Sequence, residues 1–184
     1  MGRSLRRITG TAMMLALLVV VQAFAKLGGQ PLAGTCVNLV LAVSACTLGL
    51  SGSAAVAVIS PFLAFLLGIT PLPNVLIVPG IALGNLVYTA VISLLHRLLQ
   101  QRLSGPRRFI PYLHTLPAVL IGALLKFAVM MLVQVRLVLP LLELPEATLA
   151  AISIRMGIEQ LPTALIGGVI AAIIVPTLKK AIKE

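Results

Sequence analysis

Long apolar stretches follow one another along the whole chain, with only short turns between them. Hydrophobic residues make up 60% of the sequence, charged residues 10%, and the mean hydropathy is +1.15. A soluble domain is about half apolar and about a quarter charged, so one soluble core cannot hold this excess. About 20 apolar residues cross the hydrocarbon core of a bilayer as one helix. The sequence therefore predicts an all-α integral membrane protein with a single domain.

Six transmembrane helices are predicted, bounded by glycines, prolines and charged residues. Leu50-Ser51-Gly52 alone separates the second span from the third, which predicts a tight antiparallel hairpin. A polar linker at 96–114 follows the fourth span, and a mixed stretch at 136–160 precedes the sixth. Near 147–154 we expect a short interfacial or re-entrant helix. The predicted spans are about 8–25, 32–49, 53–69, 75–95, 116–135 and 161–178.

The basic residues predict how these helices are oriented, because cytoplasmic loops carry an excess of Lys and Arg. With six spans and a cytoplasmic N-terminus, ten basic residues fall inside and three outside. The inner set is Arg3, Arg6, Arg7, Arg97, Arg102, Arg107, Arg108, Lys179, Lys180 and Lys183, and the outer set is Lys26, Arg136 and Arg155. An odd number of spans would place one basic end outside. We therefore expect both termini in the cytoplasm, with membrane lipid around the bundle.

The placement of the charges and the absence of several motifs disfavour other classes of function. The net charge is +10, but the basic residues lie at span ends and form no patch with interleaved aromatics, which disfavours nucleic-acid binding. The sequence has no Asp and no Cys/His/carboxylate cluster with metal-ligand spacing. It also lacks a phosphate-binding glycine loop, and most serines have no nearby His base. We expect neither an enzyme nor a resident metal or cofactor.

One charge, Lys126, lies near the middle of the fifth predicted span. A cation there costs about 2.5–3.5 kcal/mol on insertion scales. Either membrane face is about 14 Å away at the rise of an α-helix, too far for the side chain to reach easily. The sequence thus favours a pocket open to the outside with Lys126 at its floor. An ion pair with Glu159 that only fixes helix packing is the alternative.

Several polar residues fall near this lysine. Gly122, Lys126, Met130 and Gln134 share one face of the fifth helix at a spacing of four. Asn38 in the second span is expected to form an interhelical hydrogen bond rather than to contact a ligand. The predicted substrate-binding residues are Lys126, Gln134, Asn85, Glu159, Gln160 and Arg155.

Two pairs of small residues, Ala12 with Ala16 and Gly80 with Gly84, have the four-residue spacing that lets membrane helices approach closely. Two prolines, Pro61 and Pro79, are expected to kink their helices.

Taken together, the pattern resembles the substrate-binding (S) components of energy-coupling factor transporters. The stretch AMMLA at 12–16 matches the A-x-x-x-A signature of the first span in that family. The runs SPFLAFLLGI at 60–69, PGIALGN at 79–85 and EQLPTALIGG at 159–168 also look like members, as does the final Leu178-Lys179-Lys180. The resemblance covers nearly the whole chain.

This resemblance implies a plasma-membrane protein that binds a vitamin or similar micronutrient from outside. It implies docking, through Ala12 and Ala16, on a transmembrane coupling subunit that carries two ATPase subunits. Members for flat aromatic vitamins commonly use Trp, Tyr and Phe for stacking, whereas this chain has no Trp, two Tyr and five Phe, which makes stacking on a flat ring less expected. Because Lys126, Arg136 and Arg155 would surround the pocket with positive charge, we expect an anionic or hydroxylated small molecule instead.

Other functions stay open on the sequence alone. A stand-alone secondary transporter is one, although the two halves show no convincing inverted repeat. A membrane scaffold without transport activity is another, and it would need no function for Lys126. A membrane-embedded enzyme is the least favoured, because the expected acid, base or nucleophile is missing.

Overall fold

Apolar sequence of this length satisfies its backbone hydrogen bonds in a bilayer by forming helices. A computed structural model describes residues 3–102 and 115–181, and every regular element in these ranges is helical. Six stretches are long and apolar enough to cross a membrane, which confirms the predicted fold class and number of spans. They are Arg7–Phe24, Gly29–Thr47, Gly49–Leu66, Val75–Arg102, Thr115–Leu142 and Glu146–Ala181. Arg107, Arg108 and Lys183 of the predicted topology lie outside the described residues, as does most of the polar linker.

Each of the first four spans contains a single α-helix. They consist of α1 (Arg3–Ala25), α2 (Gly29–Thr47), α3 (Gly49–Leu66) and α4 (Val78–Arg102), with 3₁₀ turns at Lys26–Gly28 and Val75–Ile77. The chain reverses between α2 and α3 at Gly49, whose φ of +75° suits glycine. The predicted turn at Leu50-Ser51-Gly52 was wrong by a few residues, because these residues already belong to α3. Pro79 lies in the first turn of α4, where no N–H is needed, and not at an internal kink.

The last two spans are longer than predicted because further helical segments, with a π-helix in each, continue them. The fifth comprises α5 (Thr115–Val129), a π-helix (Met130–Val138) and a 3₁₀ turn (Leu139–Leu142). The sixth comprises α6 (Glu146–Ser153), a second π-helix (Ile154–Ile158) and α7 (Gln160–Ala181). The short helix expected near 147–154 is therefore present as α6, but it joins α7 instead of standing apart.

Helix α2 lies at the centre of the bundle. It packs against α1, α3, α4 and α7, and its residues 40–46 are all buried. Helix α1 lies at the edge: of its described side chains, Leu18 and Gln22 are the buried ones. The bundle thus covers one face of α1 and leaves the other uncovered.

Contacts between helix ends define the two ends of the bundle. Gly10 of α1 lies against Leu48 after α2, and His96 of α4 contacts Thr115 of α5 and Lys179 of α7. We call this the termini end, because α1 begins there and α7 ends there. The opposite, distal end contains the turns between α1 and α2, α3 and α4, and α5 and α6.

Close approach of α2 and α7 depends on Gly167. A β-carbon there would lie 2.5 Å from the Thr35 carbonyl oxygen and 2.7 Å from the Leu39 nitrogen. Both atoms are backbone, so they cannot move aside without shifting the helix. By contrast, a β-carbon at Gly34 would meet the Thr163 side chain at an ordinary 3.4 Å.

We predict that Gly167→Ala lowers the free energy of unfolding by about 1–3 kcal/mol, the usual range for overpacking. Gly34→Ala is the control: it should be neutral or stabilising, because alanine favours the helix more than glycine does. Thermal unfolding in detergent micelles measures both. Equal stability of the two variants would contradict the proposed helix contact.

Candidate functional site

A cavity of about 70 Å³ lies among the helices in the distal half of the bundle. Its apolar lining comes mainly from α2, α3 and the turn that follows α3, and includes Ala33, Val37, Ala64 and Ile69. Its polar lining comes from α1, α2, α3, α4, α5 and α7 and from the turn after α3. These polar residues are Gln22, Gln30, Asn38, Ser60, Thr70, Asn85, Lys126 and Gln160. The cavity is thus an apolar pocket with a few converging polar groups, the usual composition of a small-molecule site.

Lys126 lies in the last turn of α5, and its side chain is 2% exposed. Its Nζ donates to Asn38 Oδ1 at 2.6 Å and to Asn85 Oδ1 at 2.8 Å. The Tyr88 ring centroid lies 5.5 Å from the same nitrogen, within cation–π range. Lys126 therefore joins α5 to α2 and α4.

The lysine also fixes the orientation of the two amides. An ammonium only donates, so both asparagines must present their oxygens to it. The Asn38 Nδ2 then donates to Thr163 Oγ1 of α7 at 3.3 Å, which is the interhelical hydrogen bond that we expected of Asn38. We call Lys126 with Asn38 and Asn85 the ammonium cage.

The ammonium cage solvates the charge without neutralising it. Glu159, the alternative partner, does not pair with Lys126: its Oε2 is buried with no hydrogen-bond partner among the described residues. An ammonium has three donors, and the cage uses two of them. Since a buried charge is costly unless it is paired, the remaining donor favours an anion in the cavity that Lys126 lines.

Of the six predicted site residues, Asn85, Lys126 and Gln160 line the cavity together. The other three, Gln134, Glu159 and Arg155, do not line it. Arg155 is exposed, and its carbonyl oxygen accepts a hydrogen bond from Gln160 Nε2 at 3.4 Å. Glu159 is half-buried.

Gln134 is fully buried, but it lies against Gly80 and donates to the Ile77 carbonyl oxygen. Gln134 lies eight residues beyond Lys126 on the same side of the helix: Lys126 and Met130 lie against Gly84 of α4, and Gln134 lies against Gly80. The four-residue spacing therefore keeps these side chains on one face, but Gln134 packs onto α4 and does not reach the cavity. Gly80 and Gly84 accommodate the side chains of Gln134 and Met130, so this small pair serves packing within the chain.

Sequence reasoning missed four polar lining residues, Gln22, Gln30, Ser60 and Thr70. Gln22 had a signal that could have been used. It is a polar amide in the otherwise apolar second half of the first span, and polar residues inside membrane helices tend to be functional.

A second surface lies on α1, away from the cavity. Ala12 and Ala16 are exposed on this helix. Ala12 borders a groove of about 370 Å³ between α1 and α3, and Thr11, Ser51, Gly52 and Ala55 also line it. Larger side chains, Arg7, Ile8 and Leu15, complete its lining on the α1 side.

Comparison with known proteins gives one family. A family model described as "ECF transporter, substrate-specific component" matches residues 6–179, nearly the whole chain. Neither the curated proteins nor the solved structures contain a significant match.

The ammonium cage predicts non-additive stability. Asn85→Leu should destabilise the protein by about 1.5–3 kcal/mol, because it removes a charged hydrogen bond and leaves the buried ammonium with one partner. Lys126→Met in the Asn85→Leu background should restore part of that loss, since no charge is then left unpaired. Thermal unfolding of the two single variants and the double variant measures the coupling. Additive losses would contradict the cage.

Proposed function

Because the chain belongs to the family of energy-coupling factor (ECF) transporter substrate-specific components, we propose that it captures a small anionic solute in the cavity over Lys126. Proteins of this family are multi-pass membrane subunits that act in transport rather than catalysis, together with an ECF module. The solute is proposed to be a vitamin or a similar micronutrient. ATP hydrolysis is assigned to two ATPase subunits of the module.

The buried ammonium of Lys126 is the observation that carries this proposal. Its formal charge faces two neutral oxygens and one aromatic ring, and none of these cancels it. An anionic group in the cavity would supply the missing counter-charge in a site with little water, where a charged hydrogen bond is strong. A carboxylate is the simplest group of this kind in a micronutrient.

The rest of the lining supports a polar, non-aromatic solute. Side-chain amides and hydroxyls lie among alanine, valine and isoleucine side chains. The described lining contains no aromatic side chain that could stack on a flat ring. Such a surface suits a molecule with a short hydrocarbon part and a few hydrogen-bonding groups. The amides at Gln30 and Gln160 provide both donors and acceptors.

We propose further that both termini are cytoplasmic and that the cavity opens outward. Arg97, Arg102, Lys179 and Lys180 lie near the termini end, and the excess of basic residues there favours the cytoplasmic side. The cavity extends the other way, towards Gln30 and the turn at Ile69 and Thr70. A solute would thus enter from outside and reach Lys126 at the inner limit of the cavity.

Docking on the coupling subunit is assigned to the exposed face of α1 that contains Ala12 and Ala16. This helix is the least covered of the bundle. In its apolar stretch 11% of the residues are buried, compared with 33–50% in the other five spans. Small residues on that face would let a helix of the coupling subunit approach closely.

We predict that Lys126→Met abolishes retention of the solute. Methionine is unbranched and only one atom shorter than lysine, but it has no charge, so the anion loses its counter-charge. Lys180→Met, an exposed charge at the termini end, is the control and should retain the solute. Untargeted mass spectrometry of protein purified from its own membranes checks this. Retention of the same acid by Lys126→Met would contradict the anion site.

We also predict that Ala12→Leu with Ala16→Leu prevents docking and leaves solute binding intact, because two added isobutyl groups hold the partner helix away. Met13→Leu, which alters an exposed neighbour with almost no change of volume, should leave docking unchanged. Native mass spectrometry reports both the attached ECF subunits and the retained solute. A full ECF complex with the double leucine variant would rule out this docking face.

A further inference from the structure

A second buried polar group faces the same cavity from α1. The Gln22 side chain is 1% exposed and lines the cavity with Lys126. Its Nε2 donates to the Ser60 carbonyl oxygen of α3 at 3.3 Å. Because a carbonyl oxygen can only accept, the amide nitrogen must point towards Ser60. The amide oxygen, Oε1, is thereby fixed in orientation.

Gln22 Oε1 has no partner in the part of the chain that the structure describes. It is buried, and no hydrogen bond satisfies it within residues 3–102 and 115–181. Buried side-chain oxygens nearly always accept a hydrogen bond, and an unsatisfied one opposes folding. An oxygen retained in this state at the wall of a binding cavity calls for a donor from the bound molecule.

Lys126 and Gln22 set opposite chemical requirements on one molecule. Lys126 donates and is positively charged, so it needs an anionic acceptor. Gln22 Oε1 accepts and is neutral, so it needs an N–H or O–H group. Lys126 is also the one charged residue in the described lining, which provides for a single negative charge.

From this pair we infer that the solute is a monoanion with a separate N–H or O–H donor, which binds Gln22 Oε1 on α1. The inference rests on the proposed function, because it takes the cavity over Lys126 as the solute site. It narrows the solute to hydroxy, amido or ureido carboxylates and similar molecules. Simple alkanoates lack the donor, and dicarboxylates bring one charge too many.

A matched series of probes tests the inference without knowledge of the natural solute. The probes are straight-chain alkanoates from pentanoate to octanoate, with ω-hydroxy and ω-ureido alkanoates of the same chain lengths. Isothermal titration calorimetry on the protein in lipid nanodiscs measures each dissociation constant. Empty nanodiscs give the blank for partitioning into lipid.

The wild type should bind the best donor-bearing probe about tenfold more tightly than the alkanoate of equal length, the value of one good neutral hydrogen bond. Gln22→Met should lose that preference and keep its affinity for the alkanoate, which also shows that the variant is folded. Gln101→Met, an exposed amide at the end of α4, is the control and should keep the preference. Lys126→Met should lose both kinds of probe.

The outcomes separate the inference from the function on which it rests. A wild type without preference for the donor, or a preference that survives Gln22→Met, overturns the Gln22 contact and leaves the anion site standing. Undiminished binding of all probes by Lys126→Met overturns the proposed anion site itself. A wild type that binds no member of the series overturns both.

Discussion

A buried ammonium held by two neutral amides links four helices of this bundle. Lys126 of α5 donates to Asn38 of α2 and to Asn85 of α4, and Asn38 in turn donates to Thr163 of α7. These hydrogen bonds fix where the helices meet, and they do so without any negative charge. The same arrangement thus stabilises the bundle through directional bonds and leaves a positive charge at the floor of a cavity. Packing and the proposed binding of the solute depend on the same side chain.

Close helix packing places the ammonium cage. Gly167 lets α7 approach the backbone of α2 at Thr35 and Leu39, next to Asn38. Tyr88 reaches across from α4, donates to the Ala164 carbonyl oxygen at 2.8 Å and lies beside the ammonium. Helix α1 stands outside this tight core, yet it contributes Gln22 to the cavity and exposes Ala12 and Ala16 on its other face. One helix therefore borders both the proposed solute and the proposed coupling subunit.

The membrane pattern and Lys126 could be read from the sequence, because hydropathy and an unpaired charge in an apolar span are local signals. Asn85 followed from its position near the middle of the fourth span, and Gln160 followed from its position at the outer start of the sixth span. Gln134 shares the face of Lys126 but packs against Gly80 of α4 and does not line the cavity, and the sequence does not show which side chain on that face meets a glycine of the neighbouring helix. Gln22 could have been noticed as a polar amide in an apolar span, but the orientation of its amide oxygen could not, because it depends on a hydrogen bond to Ser60, 38 residues away.

The most direct test of the account is the structure of the protein with the solute that it retains from its own membranes. We expect one molecule in the cavity that Lys126 lines, with an anionic oxygen within hydrogen-bond distance of Lys126 Nζ. Asn38 and Asn85 should remain on the same nitrogen. A solute bound outside this cavity, or bound inside it with no contact to Lys126, would contradict the central claim.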